Sequence, residues 1–320
     1  DEVDYWTTHD VIQMEKLPES MIIIGGGATG CELGQALARF NVDMTIVEAG
    51  DRLLSKEEPE ASEVVESTFE EEGIKIKAGT RAEKVEKKDD NILVHLDNGE
   101  KIEAERLFIA TGKTIDLSDL GLETVGLDNS ASHIEVDDQM RAGDGLWAMG
   151  DVTGKSLLTH VAVYQAEIIA ADILGKEHRP ASYHAIPRAI FTDPEVGGVG
   201  LTEAEARAEG YDVLTTLRQI PATFRGVTYG VERGIVKTVV DRESGTLIGA
   251  TVAGPQASDM LGVLNLAVHA RLPLETLRTM MFTFPAYSSV IGEALGGFAR
   301  GLTTVVDPEY KGAELLDEVV

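Results

Sequence analysis

The hydrophobic positions of the chain fall into short runs whose period changes along its length. Met21 to Ile24 is an apolar run that meets Gly25, Gly26 and Gly27, and Cys31 to Phe40 then carries good helix formers. The pattern predicts a strand, a tight turn and a helix. A second β-rich run, Met44 to Glu48, follows at the distance a parallel crossover needs, and Pro59 to Gly73 has the spacing of an acidic amphipathic helix. Two crossover units in succession predict an α/β, doubly wound, Rossmann-like domain. Between Ile74 and Gly112 strands outnumber helices: Ile76, Ala82 to Val85, Ile92 to Leu96 and Lys101 to Ile109 have strand composition, and Asp97-Asn98-Gly99 marks a hairpin.

Farther along, Leu146 to Met149 predicts a short strand ending at Gly150-Asp151, Thr159 to Leu174 has the periodicity of a buried helix, and Gly175 to Ala181, with Pro180, resembles a linker. From His184 the pattern becomes strands, a helix at Thr202 to Glu209, more strands through Val240 and at Leu247 to Val252, and helices at Ser258 to Ala270 and Leu274 to Met280. A separate C-terminal α+β domain is expected. The predicted division is a nucleotide-binding domain over 1–113 with its core at about 18–110, a segment over 114–183, the α+β domain over 184–306, and a polar, loosely held tail over 307–320.

Composition narrows the function classes. A chain of 320 residues with 43% hydrophobic content can build two or three compact domains. Its 55 acidic against 28 basic side chains leave a net charge of -27, which repels phosphate backbones and anionic membrane surfaces. Neither nucleic acid nor a membrane is therefore an expected partner. No stretch approaches the roughly 20 apolar residues of a membrane-spanning helix, and Asp1 to Asp4 lacks the basic and apolar regions of a signal peptide. A soluble cytoplasmic protein is the expectation. Cys31 is the single cysteine, so no internal disulfide can form and no set of thiolates can hold a structural zinc. The histidines show no ligand spacing, and no metal site is expected.

The chemistry begins at Gly25-Gly26-Gly27-Ala28-Thr29-Gly30, which fits G-x-G-x-x-G after a strand and at the opening of a helix. In that context glycine lets the backbone approach a pyrophosphate, and the helix N-terminus attracts its negative charge. A glycine-rich turn that binds nothing is the plainer alternative. Glu48 closes the second strand, where a carboxylate can accept hydrogen bonds from both hydroxyls of an adenine ribose and repel a 2'-phosphate. NAD(H) is therefore favoured over NADP(H). Arg52 lies near enough to pair with a phosphate or with Glu48 itself.

The order of motifs is more specific than any one of them. The glycine turn is followed by Ala110-Thr111-Gly112, by Gly150-Asp151, by Phe191-Thr192-Asp193-Pro194-Glu195 and by Val199-Gly200-Leu201-Thr202-Glu203. From about Asp4 to Leu302 this resembles the class I pyridine nucleotide-disulfide oxidoreductase family, flavoproteins that include dihydrolipoamide dehydrogenase, glutathione reductase and mercuric reductase. The resemblance implies that Ala110, Thr111 and Gly112 return the chain to an FAD-binding domain, of which 114–183 is the C-terminal part. It implies that Gly150 and the Asp151 carboxylate hold a ribityl hydroxyl of FAD. A helix beginning near Thr159, His160 and Val161 would point its N-terminus at the flavin pyrimidine edge. Glu32 resembles an acid beside the flavin on the nicotinamide side, with a solvated helix-start carboxylate as the alternative. The domain after His184 would form a homodimer.

Three departures limit what the resemblance implies. Family members begin with a flavin segment carrying another G-x-G-x-x-G and a C-x-x-x-x-C pair; neither is present, and Cys31 has no partner. The chain is therefore expected to be a fragment whose flavin site is incomplete and which is inactive by itself. In Phe284-Pro285-Ala286-Tyr287-Ser288-Ser289, Phe284 stands where disulfide-reducing members have histidine and Ser289 where they have glutamate. Phenylalanine cannot move a proton, which weakens lipoamide or glutathione as substrate. Tyr287 is a catalytic candidate or, equally, an interface packing residue. Lys113-Thr114-Ile115-Asp116 also replaces the family's Arg-x-Pro-Asn. The implied activity is hydride transfer from nicotinamide to FAD and on to a disulfide, metal ion or quinone. The alternatives are a non-catalytic NAD(H)-binding dimeric module and a thiol-independent diaphorase or quinone reductase.

Overall fold

A computed structural model describes residues 3–300. Its contacts divide the chain into a larger unit, formed by the residues up to Gly112 together with those from Pro187 onward, and a smaller unit, Lys113–Ile186.

The larger unit opens with a short helix α1 (Thr8–Gln13), whose first turn is closed by Thr7 donating from its N–H and its hydroxyl to Asp10. Then come β1 (Ser20–Ile24), α2 (Ala28–Ala38), β2 (Asp43–Val47), α3 (Pro59–Glu71) and β3 (Lys75–Lys77). Antiparallel β4 (Ala82–Lys88), β5 (Asn91–Leu96) and β6 (Lys101–Ala104) follow, and β7 (Arg106–Ile109) closes the series. The parallel sheet runs β3-β2-β1-β7, with Ile22 beside Thr45 on one side and Leu107 on the other. This is the predicted doubly wound layer.

Lys101 to Ile109 is divided between two sheets. At Glu105 the backbone N–H donates to Ser20 Oγ at 3.0 Å and the carboxylate accepts from the Glu19 N–H at 2.7 Å. Those bonds pivot the chain, so that β6 stays in the hairpin sheet while β7 pairs with β1.

The smaller unit holds a two-stranded ribbon, β8 (Arg141–Gly143) with β9 (Leu146–Trp147), and the long helix α4 (Thr159–Ile173). Back in the larger unit the elements are β10 (Pro187–Ile190), β11 (Glu195–Gly200), α5 (Glu203–Ala208), β12 (Val213–Gln219), α6 (Phe224–Tyr229), β13 (Ile235–Asp241), β14 (Thr246–Gly254), α7 (Ala257–His269), α8 (Leu274–Arg278) and α9 (Tyr287–Gly296). The five strands form an antiparallel sheet in the order β10-β11-β14-β13-β12. Helix α5 starts where the sequence predicts, because Thr202 and Glu205 form a capping box. The predicted tail over 307–320 lies outside the described residues.

One apolar core joins the two sheets of the larger unit. Met21, Ile23, Met44, Ile46, Val65 and Phe69 from the parallel layer are buried in the same cluster as Ile190, Val196, Ile235 and Ala253 from the antiparallel one. Each such side chain contributes about 1.5–3 kcal/mol on leaving water, so this shared core fixes one layer against the other. Among the described residues no helix is long and apolar enough to cross a membrane.

Candidate functional site

The site is built where β1 ends. The Gly25 N–H donates to the Val47 carbonyl and the Ala110 N–H to the Ile24 carbonyl, both at 2.8 Å, so β2 and β7 bracket the turn into α2. Two glycines in it have opposite reasons to lack a side chain. A Cβ on Gly30 would lie 2.0 Å from the Gly25 carbonyl oxygen, so only glycine lets the helix start this close to the strand. A Cβ on Gly27 would meet nothing within 4 Å, which leaves open space over the turn. Gly27 also N-caps α2 without any side-chain hydrogen bond, and the first turn holds no acidic residue. The positive end of α2 therefore faces that space uncompensated.

Glu48 forms the other wall. Its Oε2 accepts the Gly26 N–H and its Oε1 the Gly50 N–H, each at 2.6 Å. Each oxygen keeps lone-pair capacity for a further donor. The Leu54 N–H donates to the Gly26 carbonyl at 2.8 Å, so the segment after β2 folds back onto the glycine turn. Arg52 does not pair with Glu48. Its guanidinium donates instead to the carbonyls of Ser55 and Glu57 at 3.0 and 2.9 Å and pairs with Asp51.

The remaining expected positions in the larger unit are distributed as follows. Ala110 lies against the glycine turn, its carbonyl oxygen only 2.4 Å from where a Gly25 Cβ would be, and Thr111 and Gly112 continue from it. Glu32 is half-buried and accepts the Phe191 N–H at 2.7 Å. One turn on, the buried Gln35 accepts the Asp193 N–H at 2.8 Å and donates to the Asp193 carbonyl at 2.7 Å. Helix α2 is thereby docked on the segment before β11. Cys31 sits beneath the turn, its thiol directed at the Gly26 carbonyl at 3.3 Å. Burial, reinforced by nearby carboxylates, pushes that thiol well above its ordinary value, so it is no nucleophile.

Tyr287 begins α9 nearly buried, edge-on to Tyr229 at 6.1 Å, with the Arg225 guanidinium 5.0 Å from its ring. Phe284 is 66% exposed and tilts against Phe224 at 5.2 Å. The Ser289 hydroxyl donates to the Ala286 carbonyl at 2.6 Å, closing the start of α9. Tyr287 thus packs within this chain's own fold, and Ser289 closes the start of α9.

In the smaller unit, the Gly150 N–H donates to the fully buried Gln165 of α4 at 2.6 Å, which fixes the turn that presents Asp151. The Asp151 carboxylate lies 4.0 Å from the Lys113 ammonium, and both are substantially exposed. Leu158 N-caps α4 with no side-chain bond. His160 is exposed in the first turn, whereas Val161 is buried and its N–H is bonded to the Leu158 carbonyl at 3.0 Å. Among the described residues no group of three or more His, Cys, Asp or Glu side chains is arranged to hold a metal ion.

A parallel βαβ layer with a glycine turn after its first strand and a carboxylate after its second defines a dinucleotide-binding fold. Comparison with known proteins makes the assignment specific. The chain belongs to the pyridine nucleotide-disulphide oxidoreductase family: residues 1–166 match that family's sequence model, and residues 186–295 match the model of its dimerisation domain. It is 36% identical over 293 residues to a dihydrolipoyl dehydrogenase of Halobacterium salinarum, covering 90% of this chain and 62% of that protein. It is 33% identical to a mercuric reductase of Bacillus cereus, covering 88% of this chain and 45% of that one. Solved structures of LpdA from Mycobacterium tuberculosis and of the HOCl-induced flavoprotein disulfide reductase RclA from Escherichia coli superpose with TM-scores of 0.84 and 0.83. Their identities are 28% and 25%; each match covers 91% of this chain, and 64% and 68% of the respective solved chain. The chain thus spans under two thirds of these curated relatives.

Proposed function

We propose that the chain carries the pyridine nucleotide site and the dimerisation domain of an FAD-dependent NAD(P)H oxidoreductase, and that it prefers NAD(H). The observation that carries this reading is the pair formed by the Glu48 carboxylate, held on the Gly26 and Gly50 amides, and the open space over Gly27. The residues fit a dinucleotide. The first-turn amides of α2 suit a pyrophosphate, and the remaining lone pairs of Glu48 suit the two hydroxyls of an adenine ribose. A 2'-phosphate at that point would meet a carboxylate without a compensating cation, since Arg52 is committed to loop carbonyls.

Gly150, Asp151 and the first turn of α4 are the residues of the smaller unit that would hold FAD. Asp151 is exposed enough to accept a ligand hydroxyl, and the uncapped start of α4 offers a positive field. The bound cofactors supply hydride acceptance and electron release. The chain's own part is to position them: Glu48 and Gly27 set the adenosine end, and Glu32, tethered to Phe191, stands at the start of α2.

Isothermal titration calorimetry tests the reading. NADH is expected to bind more tightly than NADPH, and Glu48→Gln to weaken NADH by about tenfold, the cost of one charge-assisted bond, while narrowing the gap to NADPH. No heat with either nucleotide would refute the site. A second reading, an acceptor other than a disulfide, is favoured by Phe284, which tilts against Phe224 and offers no proton at the family's acid–base position. As for assembly, the chain is expected to sediment as a dimer at micromolar concentration, and a monomer there would count against a homodimer.

A further inference from the structure

The segment between β2 and α3 has two anchors. At its near end Glu48 is bound to the glycine turn, and Leu54 returns to the Gly26 carbonyl. At its far end Glu57 and Glu58 are buried, 5% and 1% exposed, and both are bound by cations of the antiparallel sheet. Arg188 of β10 meets Glu57 side-on, Nε to Oε1 at 2.9 Å and Nη2 to Oε2 at 3.1 Å. A Cβ on Gly198 would lie 2.7 Å from that carboxylate, so the neighbouring strand leaves room for the pair. Lys237 of β13 reaches Glu58 at 3.0 Å, Glu60 at 2.8 Å and Glu203 at 3.0 Å, and the other Glu58 oxygen accepts the Glu203 N–H at 2.7 Å. Between the anchors Arg52 ties the segment to itself through the Ser55 and Glu57 carbonyls.

Such a cluster is a poor way to gain stability, because desolvating the charges offsets most of their attraction and apolar residues of the same volume often serve as well. Every residue of β13 from Ile235 to Asp241 is buried, which makes the lysine costlier still. Its geometric effect is what distinguishes it: each contact fixes the end of the segment that carries Glu48.

We infer that Arg188 and Lys237 are positioning residues for the nucleotide site, holding the Glu48 to Glu58 segment in its adenosine-binding conformation from the antiparallel sheet without touching the ligand. This rests on the dinucleotide reading above. A segment that occupies its competent conformation a tenth of the time binds about tenfold more weakly, even with every ligand contact intact. Dinucleotide affinity is thereby set by the contact between the two layers as well as by the glycine turn.

The test uses the whole chain with Glu57→Gln and Arg188→Lys, which loosen one contact of the far anchor, and Lys237→Met, which removes the other cation. NADH affinity is measured by calorimetry and backbone protection by hydrogen exchange. Glu57→Gln and Arg188→Lys are expected to weaken NADH about tenfold and to raise exchange at Leu53 and Leu54, with the amides of β1 and α2 unchanged. Lys237→Met is expected to weaken NADH by a similar factor. Unchanged NADH affinity, or exchange raised evenly over the whole fold, overturns the inference. Absence of NADH binding by the unaltered chain overturns the reading of the site itself, and so is told apart from failure of the anchor alone.

Discussion

Replacing Gly30 by alanine is expected to lower stability by about 3 kcal/mol and to abolish measurable NADH binding. The new Cβ would stand 2.0 Å from the Gly25 carbonyl oxygen, and that neighbour is backbone rather than a flexible side chain. The turn must open to admit it. Opening draws Gly26 away from Glu48 and lifts the start of α2 off β1, so the fold and the ligand wall fail together. Gly27→Ala is the companion measurement. Its Cβ meets nothing within 4 Å, so the unfolding free energy from urea denaturation should move by less than about 0.5 kcal/mol while NADH affinity falls, because the methyl occupies the space proposed for the pyrophosphate. Equal loss of stability in both variants would refute this division of labour between the two glycines.

That division was only partly legible in the sequence. The G-x-G-x-x-G spacing and the apolar run before it fix the strand, turn and helix, since each glycine answers a local steric demand. Glu48 was legible for the same reason, being the residue that directly follows β2. Contacts made across the fold were not. Glu32 was legible as an acid just after the glycine turn, but its bond to the Phe191 N–H, far along the chain, has no local signal. Gln35 carried one weak signal, a polar residue on the same helix face as Cys31 and Gly34, all buried. Helices α6 and α9 contain glycine and β-branched residues, and they exist because caps and packing override weak propensity: Thr223 accepts the Gly226 N–H in α6, and Val290 and Ile291 are fully buried in α9. Lys101 to Ile109 has a uniform strand pattern, and the pivot at Glu105 depends on Ser20 and Glu19, more than eighty residues away.

Lys237 left the clearest unread signal, a charged residue inside the run Ile235-Val236-Lys237-Thr238-Val239-Val240 that otherwise belongs in a core. Replacing it by methionine, which fills similar volume, is expected to cost about 3–5 kcal/mol near neutral pH, because Glu58 is then left as a buried carboxylate without its ion-pair partner. The pH dependence separates this from a packing defect. Burial already holds the Glu58 carboxyl above its ordinary value even with Lys237 in place. Burial alone would lower the ammonium, but Glu60, Glu58 and Glu203 outweigh it and hold Lys237 above the ordinary lysine range. The lysine's contribution is therefore fully present below the unfolded lysine value of about 10.4 and lost only as the pH climbs beyond it, so it is flat across the acid and neutral range. In the variant the Glu58 carboxyl rises further, and the folded state then binds a proton that the unfolded chain releases near pH 4.3. Stability of the variant must rise as the pH falls toward that value. Urea denaturation is expected to show a deficit at about pH 8 that shrinks by more than about 1 kcal/mol at about pH 5; a deficit constant with pH would mean that lost packing, and not an unpaired carboxylate, is what the substitution exposes.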